Sequence, residues 1–394
     1  RSGEAAAALR ASADLTPRAR GAEQSNSSIV FDEAAIMKVF RRVAEGENPD
    51  LEVGRLLTER SDFTHTPRLL GSLEYRLGRD NYTVAMLQGY VPNYGDAWEH
   101  TLGELDRYFE ILAMYRPELT DDLPSRLGLL ALSDNVPGEQ ARDTISGYLE
   151  SAILLGRRTA ELHLALAADS EDPAFAPEPI TTMYQRSIYQ SMRSQYNRSL
   201  ELLARKRRDF SPEVRELADA VLSRSEPVHQ RLRSVLEGKV SATRIRCHGD
   251  FHLGQVLYTG SDFVIIDFEG EPARSLGERR IKRSPLRDVA GMIRSFDYAV
   301  STALGRRAEA REPSEIAELE PWARYWYGWV AATFLRSYQD TAHGAPFVPA
   351  ERIVFNTLLS AYLLEKALYE LEYELNNRPT WAAVPLKGIL RLVD

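Results

Sequence analysis

The chain has 394 residues, too many for one compact core and enough for two or three domains or lobes. Apolar residues make up 44 % and charged residues 27 %, and the formal charge of −8 argues against the basic face that broad nucleic-acid or anionic-membrane binding needs. The lone cysteine, Cys247, excludes an internal disulfide and reads as a buried structural thiol.

Residues 1–22, rich in Ala, Arg, Ser and Gly, read as a linker or lead-in. They begin with Arg and carry no apolar signal-peptide core, so the chain reads as a piece of a longer polypeptide. No run approaches the ~18 apolar residues of a membrane span. The expected location is the cytoplasm, with neither nucleic acid nor membrane as partner.

Region 23–92 is β-rich. Ser27–Phe31 and Ala35–Val43 form a predicted hairpin across Asp32-Glu33-Ala34. Asn48-Pro49-Asp50 starts a helix, with Asn as cap, Pro at the first helical position and acids in the first turn; it runs to about Arg60. Arg68–Arg76 and Tyr82–Val91 are two further strands, turning at Gly78-Arg79-Asp80-Asn81. Region 93–394 is mainly helical. The spacing of apolar residues predicts helices over Asp96–Tyr115, Gly138–Ala168, Thr181–Arg208 and Pro212–Glu237. Asp172–Pro179, with three prolines, is a loop. Strands return at Thr243–Cys247, Gln255–Tyr258 and Phe263–Phe268, and three helices follow: Leu286–Leu304, Ser314–Asp340 and Ala350–Asn376.

The stretch Arg246–Gly270, RCHGDFHLGQVLYTGSDFVIIDFEG, carries the chemistry. Asp250 follows a strand end and Gly249, so its carboxylate projects from a constrained loop. The apolar run Phe263–Ile266 delivers Asp267 at its end. Two carboxylates on either side of one strand pair suit phosphoryl transfer: one accepts the proton of an attacking hydroxyl, the other holds the magnesium that neutralises phosphate charge. Gln255 offers an amide oxygen to the same hard cation. Either acid alone reads as an ordinary turn residue; both, with the His-Gly lead-in, favour the catalytic reading.

Lys38, in Ile36-Met37-Lys38-Val39-Phe40, is either a solvent-facing strand residue or the lysine that neutralises nucleotide phosphates and pairs with a helix glutamate. Glu52 and Glu59, seven residues apart and on one helix face, are the candidates. Glu269 stands on a second metal or against Arg287 or Arg294. Asp288 reads as structural. Arg205–Arg208 reads as a solvated helix face, and the basic run Arg279–Arg283 as a contact for an anionic substrate. His252 points into an acceptor pocket or is a hydrogen-bonded structural histidine. Trp322, Tyr325, Trp326 and Trp329 form a stripe at helical spacing, which reads first as core packing; Tyr325 and Trp326 are also candidates for a sugar-binding wall, with Glu370, Glu372, Glu374 and Arg378.

The pattern His-Gly-Asp-x-His-x-Gly-Gln followed by Asp-Phe-Glu resembles the aminoglycoside-phosphotransferase-like kinases. It is similar in particular to the maltokinases, including the maltokinase domain fused behind trehalose synthase. GAEQSNSSIVF at Gly21–Phe31, LQGYVPNYGDAW at Leu87–Trp98, TAELHLALA at Thr159–Ala167 and ALYELEYELNNRPTWAAVPLKGIL at Ala367–Leu390 extend the resemblance over most of the chain. It implies an α+β, protein-kinase-like, two-lobed fold: a nucleotide-binding lobe with hinge over 23–92 and a helical lobe with catalytic loop and sugar site over 93–394. It implies ATP and Mg²⁺ as cofactors and transfer to the anomeric hydroxyl of maltose or a related sugar, linking trehalose and maltose metabolism to α-glucan synthesis, with a trehalose synthase domain as possible partner. A kinase of the same fold acting on glucosamine, an aminoglycoside or another sugar is the alternative, as is a non-catalytic partner domain. By residue, the resemblance makes Gln24, Ser25, Asn26, Ser27 and Ser28 the phosphate loop, prefers Glu52 as the partner of Lys38, and places Gln88, Gly89 and Val91 at the adenine hinge.

Overall fold

β-branched and aromatic residues flank Asp32-Glu33-Ala34, and the chain folds there into a hairpin of β2 (Ser27–Phe31) and β3 (Ala35–Val39). Asp32 takes φ +47°, a left-handed turn position that Asp tolerates better than most residues. The computed structural model describes residues 16–19, 26–272, 274–308 and 313–393. The chain divides into two units. One comprises Arg1–His100, Arg158–Pro177 and Ile245–Arg283, the other Thr101–Arg157, Glu178–Arg244 and Ser284–Asp394.

The first unit holds a five-stranded antiparallel sheet of order β1-β2-β3-β5-β4, with β1 at Pro17–Ala19, β4 at Leu69–Leu77 and β5 at Asp80–Gly89. β1 lies within the expected lead-in and pairs Arg18 with Val30. β4 and β5 turn through Gly78, whose φ of +63° costs glycine nothing. β3 stops at Val39, earlier than expected. The Phe40 N–H still reaches Val84 O, but Arg41 and Arg42 leave for solvent. Helix α1 (Pro49–Glu59) starts as its sequence dictates: the Asn48 side chain accepts the Asp50 N–H and Pro49 opens the helix. Leu51 of α1 packs with Phe40, Met86 and Leu69, which fixes the first turn of the helix beside the middle of β3. The same unit carries a second hairpin, β6 (Val256–Tyr258) and β7 (Phe263–Ile265), pairing Leu257 with Val264.

The remaining chain is mostly helical. α2 spans Ala97–Tyr115. The helix expected over Gly138–Ala168 is two, α3 (Glu139–Ile145) and α4 (Tyr148–Ala167), because Ser146 turns to φ +56° and Gly147 follows. α5 covers Thr182–Lys206. The helix expected over Pro212–Glu237 breaks into α6 (Pro212–Ser223) and α7 (Ser225–Arg233). Pro227 has no N–H to continue the ladder, so it is accommodated in the first turn of a new helix. α8 (Leu286–Ala308) packs against both α9 (Pro313–Thr341) and α10 (Arg352–Asn377) in the second unit. A last helix, α11 (Ala383–Val393), lies beyond the expected end of the helices and buries Leu386 and Ile389. The strand expected at Thr243–Cys247 shrinks to Thr243–Arg244, paired with Glu178–Pro179. Among the described residues no helix is long and apolar enough to cross a membrane.

Candidate functional site

Lys38 is the centre of the site. It lies on β3, opposite Ser28 on β2 and Met86 on β5, where a strand with neighbours on both sides holds its backbone fixed. Its Nζ is 2.7 Å from Asp50 Oδ2, 2.5 Å from Asp267 Oδ1 and 2.7 Å from Glu269 Oε1. Burial alone would lower the lysine pKa, but Asp50, then Asp267 and Glu269, outweigh it and hold the ammonium form well above the usual range. Burial likewise opposes the charge on Asp267, yet the Lys38 cation, with help from His248 and a hydrogen bond from the Gln255 side chain, keeps that carboxyl below its ordinary value. Glu269 goes the other way: burial raises it, and the neighbouring Asp267 and Asp50 add to the rise against the pull of Lys38.

Asp50 is the partner that the sequence reading misses. It sits in the first turn of α1, 1 % exposed. One carboxylate oxygen takes Lys38, and the other accepts the Phe268 N–H at 2.9 Å. This single side chain therefore ties the lysine strand, the helix start and the Asp-Phe-Glu segment together. The signal was present in Asn48-Pro49-Asp50, read only as a helix start.

The expected lysine partners are corrected. Glu52 pairs instead with Arg246 at 2.7 Å and with Arg280, and Glu59 is exposed at the end of α1. Asp50 and Glu52, two positions apart, face different neighbours around the helix, so only one reaches the lysine. Glu269 meets neither Arg287 nor Arg294 in the expected way: its described partners are Lys38, Asn26 Nδ2 and, at 3.7 Å, Arg279. The basic run Arg279–Arg283 serves the protein's own acids and carbonyls. Arg279 and Arg280 meet Glu269 and Glu52, while Lys282 donates to Pro173 O and Ala176 O at 2.7 and 2.6 Å.

The catalytic-loop candidates stand beside this cluster. Gly249 takes φ +88°, and a Cβ there would meet Gly270 Cα at 3.3 Å, so the loop needs glycine to approach the Asp-Phe-Glu segment. His248 is 1 % exposed, lies between the Phe251 and Phe268 rings, and its Nε2 is 2.9 Å from Ile266 O. Asp250 is half-buried on the next turn. His252 caps the single turn Leu253–Gln255, its Nδ1 accepting the Gly254 N–H at 3.1 Å, which favours its structural reading. Asp267 itself sits at φ +67°, a strained position for a residue with a side chain and typical of functional sites. Cys247 is half-buried rather than buried, with Sγ 3.5 Å from the carbonyls of Ile245 and Arg283.

Carboxylate oxygens of Asp50, Asp267 and Glu269 all lie within 4.8 Å of one another. Oxygen donors at this spacing suit a hard divalent cation such as Mg²⁺, and the Lys38 ammonium at their centre confirms that the pocket stabilises positive charge.

Of the phosphate-loop candidates, Gln24 and Ser25 lie outside the described residues. Asn26 is buried against Glu269, Ser27 accepts from Arg41 Nε at 3.0 Å, and Ser28 is within β2. At the hinge, Gln88 and Gly89 close β5, with the Gly89 N–H donating to Arg68 O and the Tyr90 N–H to Ala34 O; Val91 follows and its carbonyl accepts from Asn93.

The sugar-wall candidates belong to the second unit. Trp326 is fully buried against Tyr148, and Tyr325, 2 % exposed, donates its hydroxyl to Asp121. Both are core residues rather than the sugar wall expected from the sequence. Glu370 is sealed in a pair with Arg294, whose Nε and Nη2 reach it at 2.9 and 2.6 Å. Glu372 accepts from Gln195 at 2.5 Å and lies 3.6 Å from Arg198, and Arg378, half-exposed, pairs with Glu374 at 2.6 Å.

Comparison with known proteins agrees with this chemistry. The profile of the APH phosphotransferase enzyme family matches residues 14–270. A glucosamine kinase of Streptacidiphilus jiangxiensis is 26 % identical over 368 residues, 92 % of this chain and 70 % of that protein. A glucosamine kinase of Mycolicibacterium smegmatis (strain ATCC 700084 / mc(2)155) is 26 % identical over 383 residues, 94 % of this chain and 78 % of that one. A solved glucosamine kinase in complex with glucosamine, ADP and inorganic phosphate superposes with a TM-score of 0.70 at 20 % identity, covering 99 % of this chain and 85 % of that one. The two-lobed α+β kinase-like architecture read from the sequence is therefore the fold of this protein, and the chain belongs to the APH phosphotransferase enzyme family.

Proposed function

We propose that the chain is an ATP- and Mg²⁺-dependent sugar kinase. The observation that carries this reading is the Lys38–Asp50–Asp267–Glu269 cluster, a caged lysine beside closely spaced carboxylates, in a member of a phosphotransferase family. In this reading Asp250 orients the acceptor hydroxyl and takes its proton. The bond between the γ-phosphorus and the ADP oxygen breaks while a new bond forms to the sugar oxygen. Asp267 and Gln255, with Glu269, would hold Mg²⁺, which when bound neutralises phosphate charge. Lys38 turns from its carboxylates toward the phosphates, and Asn26, Ser27 and Ser28 line their path. Gln88, Gly89 and Val91 present the hinge backbone to adenine. Glu52 holds the loop through Arg246 rather than touching nucleotide. Catalysis is then mostly placement and charge neutralisation.

For the acceptor, the relatives support an amino sugar, glucosamine. A second reading, maltose phosphorylated at its anomeric hydroxyl, is favoured by the string Ala367–Leu390 and its resemblance to maltokinases. Coupled ADP release with Mg·ATP and each sugar in turn separates them. Turnover with glucosamine alone supports the first, turnover with maltose alone the second, and turnover with neither removes both.

A further inference from the structure

A cavity of about 270 Å³ lies within the second unit, walled by α8, α9 and α11. Its charges do not cancel. Asp297, 1 % exposed, is shared by Arg294 at 2.5 Å and by Arg391, and Arg294 also holds Glu370, so two guanidiniums meet two carboxylates. Glu320 and Lys387 form a further pair at 2.9 Å. Arg324, exposed at the mouth of the cavity, has no side-chain partner among the described residues. Tyr327 lies beside it, its ring against Arg391. Burial, with Asp297 adding, pushes its phenol up to about 12, so it stays a hydrogen-bond donor at neutral pH. Val300, Leu304 and Leu390 supply an apolar floor.

We propose that this cavity binds a small organic monoanion, a carboxylate or phosphodiester on a compact apolar body, with Arg324 as the anchor of the charged head. One surplus cation matches one negative charge, and the volume, near the lower end for small-molecule sites, matches a single ring. The apolar floor separates this site from one for bare inorganic anions, because the body contributes burial that phosphate alone does not offer. The proposal is independent of the phosphoryl-transfer reading.

The test is fluorine NMR on the intact protein with 4-fluorobenzoate, methyl 4-fluorophenyl phosphate and neutral 4-fluorobenzyl alcohol as probes. At least one anion should bind, and Arg324→Ala should weaken it about tenfold or more, the equivalent of one lost charge contact. Ser301→Trp, which fills the cavity from a half-buried wall position, should abolish binding while the thermal midpoint stays near wild type. Whichever anion binds more tightly assigns the head group. Binding of the neutral alcohol as tight as that of the anions, or anion binding indifferent to both substitutions, overturns the proposal. Because Ser301 and Arg324 both belong to the second unit and neither is assigned to phosphoryl transfer, ATP turnover should be unchanged in both.

Discussion

Arg246 Nη1 lies 2.7 Å from Glu52 Oε2, with the two side chains only 2 % and 7 % exposed. This pair joins the first turn of α1 to the residue two positions before His248, and so braces the candidate catalytic loop. A buried pair is costly to break because the surviving charge is left without compensation. Glu52→Gln or Arg246→Met should each lower stability by about 3–5 kcal/mol in chemical denaturation. The double variant Glu52→Gln, Arg246→Met should cost less than the two singles added together, since no buried charge is orphaned and Arg280, the other partner of Glu52, is partly exposed and stays hydrated. Additive losses would show that the pair does not act as a unit.

The lysine partner can be tested separately. Asp50→Asn should weaken nucleotide binding about tenfold, because Lys38 loses the carboxylate that positions it and Phe268 N–H loses an ionic acceptor. Glu59→Gln, at an exposed helix end, should leave it within about twofold. Titration of a fluorescent ATP analogue reads both. The opposite ranking would restore Glu59, one of the two partners expected from the sequence.

The aromatic stripe should behave as core. Trp326→Ala should cost about 3–5 kcal/mol, the range for emptying a fully buried aromatic site. Tyr325→Phe should cost about 1 kcal/mol, the loss of its bond to Asp121. Neither KM for sugar should change in Tyr325→Phe. A raised sugar KM with unaltered stability would return Tyr325 to the acceptor site.

Stability should fall at alkaline pH for a definable reason. Burial raises the phenols of Tyr148, Tyr298, Tyr325 and Tyr327 above their ordinary value near 10, the last to about 12. A raised folded pKa gives stability that is fully present below pH 10 and is lost as pH rises through the folded value. Absorbance at 295 nm should therefore show these phenols ionising only together with loss of near-ultraviolet dichroism. Complete tyrosinate absorbance by about pH 10.5 with native dichroism retained would contradict the burial described here.

Much of the first unit was legible because its signals are local. The Asn48 cap, the Gly78 turn and the Asp267 position at the end of an apolar run each depend on a few neighbouring residues. What escaped depends on chain segments far apart in sequence. Asp50 and Glu52 are both acids in one helical turn, and which one meets Lys38 is decided by how Leu51 packs on Phe40 and Met86. Glu269 finds Asn26 across 243 residues, a pairing that no local spacing reveals. Helix continuity failed at Ser146 and Pro227, where a single backbone position outweighs the periodicity around it. Tyr325 and Trp326 show the converse, since a stripe at helical spacing reads the same whether it faces a core or a ligand.

In the proposed function this chain transfers phosphate to a sugar hydroxyl with Asp250 as the proton acceptor. Phosphorus NMR of the purified chain with Mg·ATP and either glucosamine or maltose tests it most directly. A sugar phosphomonoester signal should grow with ADP, slowed about 10²–10⁴-fold by Asp250→Asn while nucleotide affinity holds. No sugar phosphate with either sugar, or an Asp250→Asn rate equal to wild type, would contradict it.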